Sequence, residues 1–396
     1  MKAFFYKTRG MAALALAMSL CAVPVWAADP VSLSAEAQGV QAAETEVVFA
    51  DEAEVPLQKL TQEEALEKAI KNSASLREIQ EQIDFLYETK GDLWDKGYTS
   101  TPNYEHQSWH NALVYSMNTA LFQTNAGIEQ SRYGQELSKL GLEVSVKSHF
   151  TTIHSNLDNL TLLKENLAMQ EKQYEQSKLK YQLGMLSKYN FEKEEAALKQ
   201  TKDNIAQLEN TLEQQYIKLN DLMGEKPETR FEYVYDATFA PYTMNRDLEI
   251  YITDKTKNEL SIKILESQLE TAKFQVNYLA ETATSATMDQ NELNYDKAKR
   301  AVKTAKTAME LGIRSTLLQI RQVETAYQTA LTDLEKAQAD YRAVQVNYQA
   351  GNVTKMTVEQ ARMGILQKEL ALKSLAYNHD TLVYMFEHPS LLSSSK

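Results

Sequence analysis

The sequence predicts an all-α protein: a tandem repeat of long antiparallel coiled-coil helices, each repeat running short, long, short. Three observations carry that expectation. Apolar residues recur every seven positions over long stretches, the period that keeps one seam of a helix facing a partner through slight left-handed supercoiling. The pattern returns 167 positions later, so that Ile153, Leu160, Leu167, Tyr174 and Tyr181 are matched by Ile320, Tyr327, Leu334, Tyr341 and Tyr348. Finally, 396 residues hold only 12 glycines and 7 prolines, too few breakers for many short elements.

The chain in order supports this. Lys2, Lys7 and Arg9 precede an apolar run that ends in Val25, Trp26, Ala27, the layout of an export signal, so the mature chain is expected to start at Ala28. The single cysteine, Cys21, lies inside that signal, and Leu20 before it does not suit a lipoprotein signal, which wants a small residue there. Residues 28–59 are acidic and without period, and are expected to be a disordered linker.

Thr61 and Glu64 form a capping-box pattern opening a helix with Leu76, Ile79, Ile83, Leu86 and Leu93 on one face, expected to end near Gly97. Tyr98 to Asn111 is an expected irregular link, followed by a helix from about Ala112 to Leu183. Within that helix Gly127, Gly134 and Gly141 share the heptad step, which favours close approach of a neighbouring backbone. Gly184 suits a left-handed cap and Ser187 an N-cap, so the chain is expected to fold back into Lys188 to Met223.

Phe191, Leu198, Ile205, Leu212 and Leu219 then form a returning ladder. An aromatic connector with room for one short strand spans Arg230 to Thr243. The second copy opens with Leu248 to Tyr278, links through Glu281 to Asn291, climbs from Glu292 to Ala350, turns at Gly351 with Thr354 as N-cap, and returns over Lys355 to Glu387. Its returning ladder is Val358, Ile365, Leu372, His379 and Phe386. The opening and return helices, about 36 residues each, together match the roughly 72 of the long helix, so two short helices end to end can lie along one long one. The expected domains are a signal peptide 1–27, linker 28–59, helical repeat 60–223, connector 224–246, helical repeat 247–388 and flexible tail 389–396.

Charge and motifs narrow the function. The formal charge of −12 becomes −15 when Lys2, Lys7 and Arg9 leave with the signal, which disfavours nucleic acid and anionic lipid as partners. No mature segment approaches the roughly 20 apolar residues of a membrane-spanning helix. His106 and His110 stand four apart but lack the glutamate that a zinc-protease helix places after the first histidine, and His149 and His154 are expected to be solvated. No phosphate loop, nucleophile elbow or cysteine cluster is present, so no catalytic, cofactor or metal residue is assigned and an enzyme is not expected.

The opening stretch LTQEEALEKAIKNSASL, Ala120 to Phe122, and the paired turns YQLGMLSKYNFE and YQAGNVTKMTVE resemble the TolC-like outer-membrane efflux protein family over about Leu60 to Glu387. The resemblance implies a homotrimer whose repeats are staves of an α-helical barrel, an exit duct docking through its turns to a periplasmic adaptor of an inner-membrane pump. The turn positions concerned are Gly184, Ser187, Asn190 and Phe191, and Gly351, Thr354, Thr357 and Val358. It also implies export to the cell envelope, at the outer membrane, periplasm or cell surface.

One departure stands out: the family places a β-hairpin in each link, and membrane-crossing strands need about 9–11 alternating residues each, which neither link offers. The hairpins are therefore expected to be missing or vestigial. Aromatics gather at the link end, with Trp94, Tyr98 and Trp109 as candidates for contact with the envelope, against the plainer reading that they pack at frayed helix ends. A structural coiled-coil spacer of the envelope, carrying nothing, is the alternative.

Overall fold

The computed structural model describes residues 57–99, 107–235, 237–278 and 283–392. The expected signal peptide, most of the acidic linker, His106 and the last four residues lie outside them, as do the side chains of 96–113, Tyr98, Trp109 and His110 included. The described chain is overwhelmingly helical: β1 (Lys59–Thr61), α1 (Gln62–Asn72), α2 (Ala74–Thr99), α3 (Gln107–Gln182), α4 (Lys188–Met223), β2 (Glu232–Val234), α5 (Leu248–Asn258), α6 (Leu260–Asn277), α7 (Ser285–Gln349) and α8 (Lys355–Glu387). A single 3₁₀ turn, Pro389–Leu391, closes it. At about 1.5 Å per residue α3 is roughly 114 Å long, a rod rather than the core of a globule.

In each repeat two shorter helices lie end to end along the long one. Helices α2 and α4 pack on α3, and α6 and α8 pack on α7, while α6 and α8 also rest on α3 and join the two repeats. The lateral order is therefore α2, α3, α6, α7 towards the links and α4, α3, α8, α7 towards the turns. Helix α3 is enclosed on both sides, whereas α2, α4 and α7 form the outer edges.

The core is concentrated at mid-height. One apolar cluster gathers Leu60, Phe150, Ile153, Leu212, Leu219 and Tyr233, and a second gathers Ile252, Ile262, Met309, Ile313, Ile320 and Phe386. The heptad rungs follow this gradient: Ile153 and Ile320 are fully buried, whereas Tyr181 and Tyr348 beside the turns are exposed. Near the turns only paired helices shield one another. At mid-height the connector and the short opening helices add a third layer.

The capping box at Thr61 forms, with Glu64 N donating to Thr61 Oγ1 at 3.2 Å and Thr61 N donating to Glu64 Oε2 at 2.9 Å. The structure corrects several other expectations. The linker ends before Lys59, because Lys59–Thr61 pairs in parallel with Glu232–Val234, setting Leu60 opposite Tyr233 in the first cluster. The opening helices are each broken, at Ser73 and at Glu259, rather than continuous.

Both breaks sit where a return helix ends. Asn72 Nδ2 donates to the carbonyls of Asp221 and Leu222 at the foot of α4, and Glu259 accepts Ser390 Oγ at 2.7 Å just past α8. The links are shorter than expected too, since α3 starts at Gln107 and α7 at Ser285, the latter capped by Thr284. Seven residues separate α2 from α3 and seven separate α6 from α7, fewer than one membrane-crossing strand of about 9–11 residues. No helix among the described residues is long and apolar enough to cross a membrane.

Within the described chain the glycine stripe is only partly packed. Only Gly127 meets a neighbour, with Leu86 Cδ1 at 3.4 Å from where its Cβ would be; beside Gly134 and Gly141 nothing stands within 4 Å.

The connector ties the repeats together. Tyr235 OH donates to Asp380 Oδ2 at 2.8 Å, and Lys147 of α3 pairs with the same carboxylate at 2.8 Å. Further on, Tyr242 N donates to Glu324 Oε1 at 2.6 Å, Arg321 Nη1 donates to Glu324 Oε2 at 2.8 Å and to Tyr242 O at 3.0 Å, and buried His379 lies 3.4 Å from Glu324 Oε1. Phe239 stacks on Tyr327 and tilts against His379. His379, a rung of the returning ladder, thus keeps its seam position only because a carboxylate and a ring come to meet it.

His149 and His154 are half-buried rather than freely solvated, which corrects the sequence reading. His149 Nδ1 lies 3.2 Å from Gln215 Oε1, and His154 tilts against the stacked pair of Tyr235 and Tyr377. Enclosure of α3 from both sides is the reason. Burial lowers the pKa of both from the ordinary histidine value. A depressed histidine pKa means that the unfolded chain takes up protons first. The associated stability is complete above about pH 6.5 and is lost as pH falls below it. Melting temperature is therefore expected to drop between pH 7.5 and 5.5, and less so in a His149→Gln, His154→Phe variant; an identical drop in both proteins would refute the assignment.

Candidate functional site

The two turns are built alike. Gly184 and Gly351 take φ of +73° and +76°, the left-handed conformation that ends the climbing helix without a Cβ penalty. Ser187 and Thr354 then accept from Asn190 N and Thr357 N, each at 3.3 Å, and start the return helices at Lys188 and Lys355.

Inter-repeat ion pairs put both turns at one end. Asp158 pairs with Lys373, Glu165 with Arg362 and Lys172 with Glu359, an antiparallel register that sets Gly351 level with the top of α3. Tyr115 of α3 stacks on Tyr278 at 5.0 Å and Phe122 on Phe274 at 4.1 Å, so both links lie together at the opposite end. There Trp94 is 50% exposed.

The sequence-derived turn residues divide by environment. Gly184, Ser187, Asn190, Gly351 and Thr354 are exposed, while Thr357 and Val358 are partly covered. Phe191 faces its own partner helix, stacking on Tyr174 at 5.3 Å and on Tyr181 at 4.9 Å. Val358 lines a groove of about 300 Å³ between the repeats, with Met169, Lys172, Tyr341 and Glu359.

Sequence reasoning missed the most exposed apolar group at this end. Leu179, Leu183, Met185 and Tyr189 surround the first turn, the last two 74% exposed. Their counterparts 167 positions on are Val346, Ala350, Asn352 and Met356, so the second turn is the more polar. The available signal was that these residues fall off the heptad seam yet are large and apolar.

The glycines make a testable contrast. Gly184→Ala meets no atom within 4 Å and incurs only left-handed strain, about 1–2 kcal/mol. Gly224, at φ +73°, would also put its Cβ 2.6 Å from Asn72 Cγ, and Asn72 is held by the α4 carbonyls. Thermal melting is expected to show the larger loss for Gly224→Ala. Equal losses would mean that Asn72 yields freely.

No cluster of three or more potential metal ligands occurs among the described residues. What the site offers is shape: paired turns at one end of a long stave.

No family model matches the sequence, and no curated protein matches it. Solved structures do. The Campylobacter jejuni CmeC outer membrane channel aligns over 91% of this chain and 94% of its own at 12% identity and a TM-score of 0.60. The Vibrio cholerae outer membrane protein VceC aligns over 82% and 95% at 12% identity and 0.60. The open state of the Neisseria gonorrhoeae MtrE outer membrane channel aligns over 90% and 97% at 13% identity and 0.56. At such identities the likeness is one of fold. A chain made of two folded-back helical staves, turns at one end and links at the other, that superposes on outer-membrane proteins from three bacteria, two of them channels, has the TolC-like fold.

Proposed function

We infer that this chain is the exported duct component of an efflux or secretion system: three copies close into a hollow helical barrel, and the turns dock to a periplasmic adaptor that leads to an inner-membrane pump. The observation that carries this reading is the stave itself, a tandem folded-back pair with open edges at α2, α4 and α7 and the overall fold of outer-membrane channels. A barrel of identical staves needs such edges, because each must meet a neighbour. Exposed Leu183, Met185 and Tyr189 supply apolar surface beside Gly184, Ser187 and Asn190, and the inter-repeat groove beside Thr354, Thr357 and Val358 supplies a second surface.

Cysteines placed at Ser187 and Thr354 are expected to crosslink to a co-expressed adaptor, and the exported protein to have the mass of a trimer with a central hollow in electron images. Crosslinks confined to copies of this chain, together with a monomeric mass, would defeat the reading.

The seven-residue links favour a second reading, an envelope spacer that transports nothing. On the duct reading the link end, with Trp94, Tyr98 and Trp109, adjoins the envelope. Replacing Trp94 and Trp109 by serine is then expected to release the protein from the envelope fraction with helicity unchanged; unaltered fractionation would discard that contact.

A further inference from the structure

We propose that neighbouring copies join through a charge-matched seam between α2 of one and α7 of the next, an inference that rests on the duct reading above. On α2, Glu78, Glu81, Phe85, Glu88, Asp92 and Asp95 recur at spacings of three and four, form a single stripe, and are all exposed, Phe85 to 64%. Residues 78–95 hold six acids and one cation, Lys90. On α7, residues 297–309 hold five cations and no acid, and Lys297, Arg300, Thr304, Ala308 and Leu311 form the exposed stripe.

Among the described residues Glu78, Glu81, Glu88, Asp92, Lys297, Lys299, Arg300 and Lys303 have no ion-pair partner, although the described chain is otherwise well supplied with pairs, several of them between the repeats. Each edge left alone therefore carries uncompensated like charge.

The heights agree. Leu86 rests at Gly127, Gln130 donates to Ser267, and Lys306 pairs with Glu266, which sets Phe85 and Lys303 at one level to within about one helical turn. The two helices run in opposite directions, so Glu81, Glu88 and Asp92 descend towards the links along α2 in the order in which Lys303, Arg300 and Lys297 descend along α7. They stand at opposite lateral ends of the row α2, α3, α6, α7. Rotation about an axis parallel to the helices brings one edge against the other without changing height, which is the condition for a closed ring of head-to-tail contacts. Complementary charge then selects this edge pairing over α2 on α2 or α7 on α7, and Phe85 supplies an apolar anchor within the stripe.

Sedimentation of the purified mature chain tests the seam. Association of the wild type is expected to weaken as salt is raised towards about 1 M, where charges are screened beyond roughly 3 Å. Glu88→Lys with Asp92→Lys, or Lys297→Glu with Arg300→Glu, is expected to weaken association by about tenfold or more. The four substitutions combined exchange the signs and are expected to restore it, with circular dichroism confirming helicity throughout. An assembled wild type indifferent to both reversals, or a combined variant that stays as weak as either, overturns the seam alone. A wild type that is monomeric at every salt overturns the duct reading on which it rests.

Discussion

Replacing Phe386 by alanine is expected to cost about 3–5 kcal/mol, read as a lower denaturant midpoint with little change in slope. Phe386 is the last rung of the second returning ladder and is fully buried. Its ring stacks on Tyr251 at 4.9 Å and meets the edge-on ring of Tyr242 at 5.3 Å. Tyr251 OH also donates to its carbonyl at 2.8 Å, so α5, α7, α8 and the connector converge on this one side chain. The cavity left by truncation has long helices for walls, and these cannot collapse inward without breaking their own backbone bonds. Phe386→Leu keeps most of the volume and is expected to recover most of the loss. A cost below about 1 kcal/mol for alanine would show instead that the second cluster closes up.

Glu324→Ala is the second large effect expected. It leaves the Tyr242 N–H without its acceptor and buried His379 without its carboxylate, and each buried donor orphaned in this way costs about 1–3 kcal/mol. Glu324→Gln retains an acceptor and is expected to lose much less. Burial acts against the ionised form of Glu324, yet hydrogen bonds from Arg321, from the Tyr242 backbone and from His379 outweigh it and hold its pKa below the usual carboxylate value. The folded pKa being the lower, this contribution is complete above about pH 4.5 and is lost as pH falls through the folded value. Unfolding of the wild type is expected to steepen in that acid range, and of Glu324→Gln not to. If glutamine and alanine prove equally costly, the connector is held by something other than this acceptor.

How far the fold was legible can be judged from particular residues. The turns were legible, because a left-handed glycine and a hydroxyl N-cap three residues later satisfy local backbone demands that do not depend on the rest of the molecule. The heptad ladders were legible for a similar reason, since period alone places one face of a helix against a partner. Helix breaks at Ser73 and Glu259 were not. Each is tied to the end of a return helix, between residues 149 and 131 positions apart in the chain, and the local hydroxyl cap of Ser73 on Leu76 N is too common a pattern to announce a break by itself. Strand β1 was missed likewise, as its partner is β2. The starts of α3 and α7 extended into polar, alanine- and threonine-containing stretches that read as links, because the helices they continue propagate cooperatively.

At the candidate site, the backbone-determined residues Gly184, Ser187, Gly351 and Thr354 could be named in advance. Phe191 could not be told from a docking residue, because whether an aromatic at a helix start faces a partner protein or Tyr174 and Tyr181 depends on the angle between two helices. Met185 and Tyr189 were overlooked because they stand off the seam.

The sequence by itself determined that this protein is a doubled, folded-back helical stave, because helix period, glycine turns and caps are local and repeat with one fixed offset. The tertiary structure alone decided which faces remain open. It enclosed α3, half-buried His149 and His154, buried His379, and left an acidic edge on α2 level with a basic edge on α7. Exposure is a property of how helices are arranged around one another, and a seven-residue period specifies that a helix has a partner without saying on how many sides.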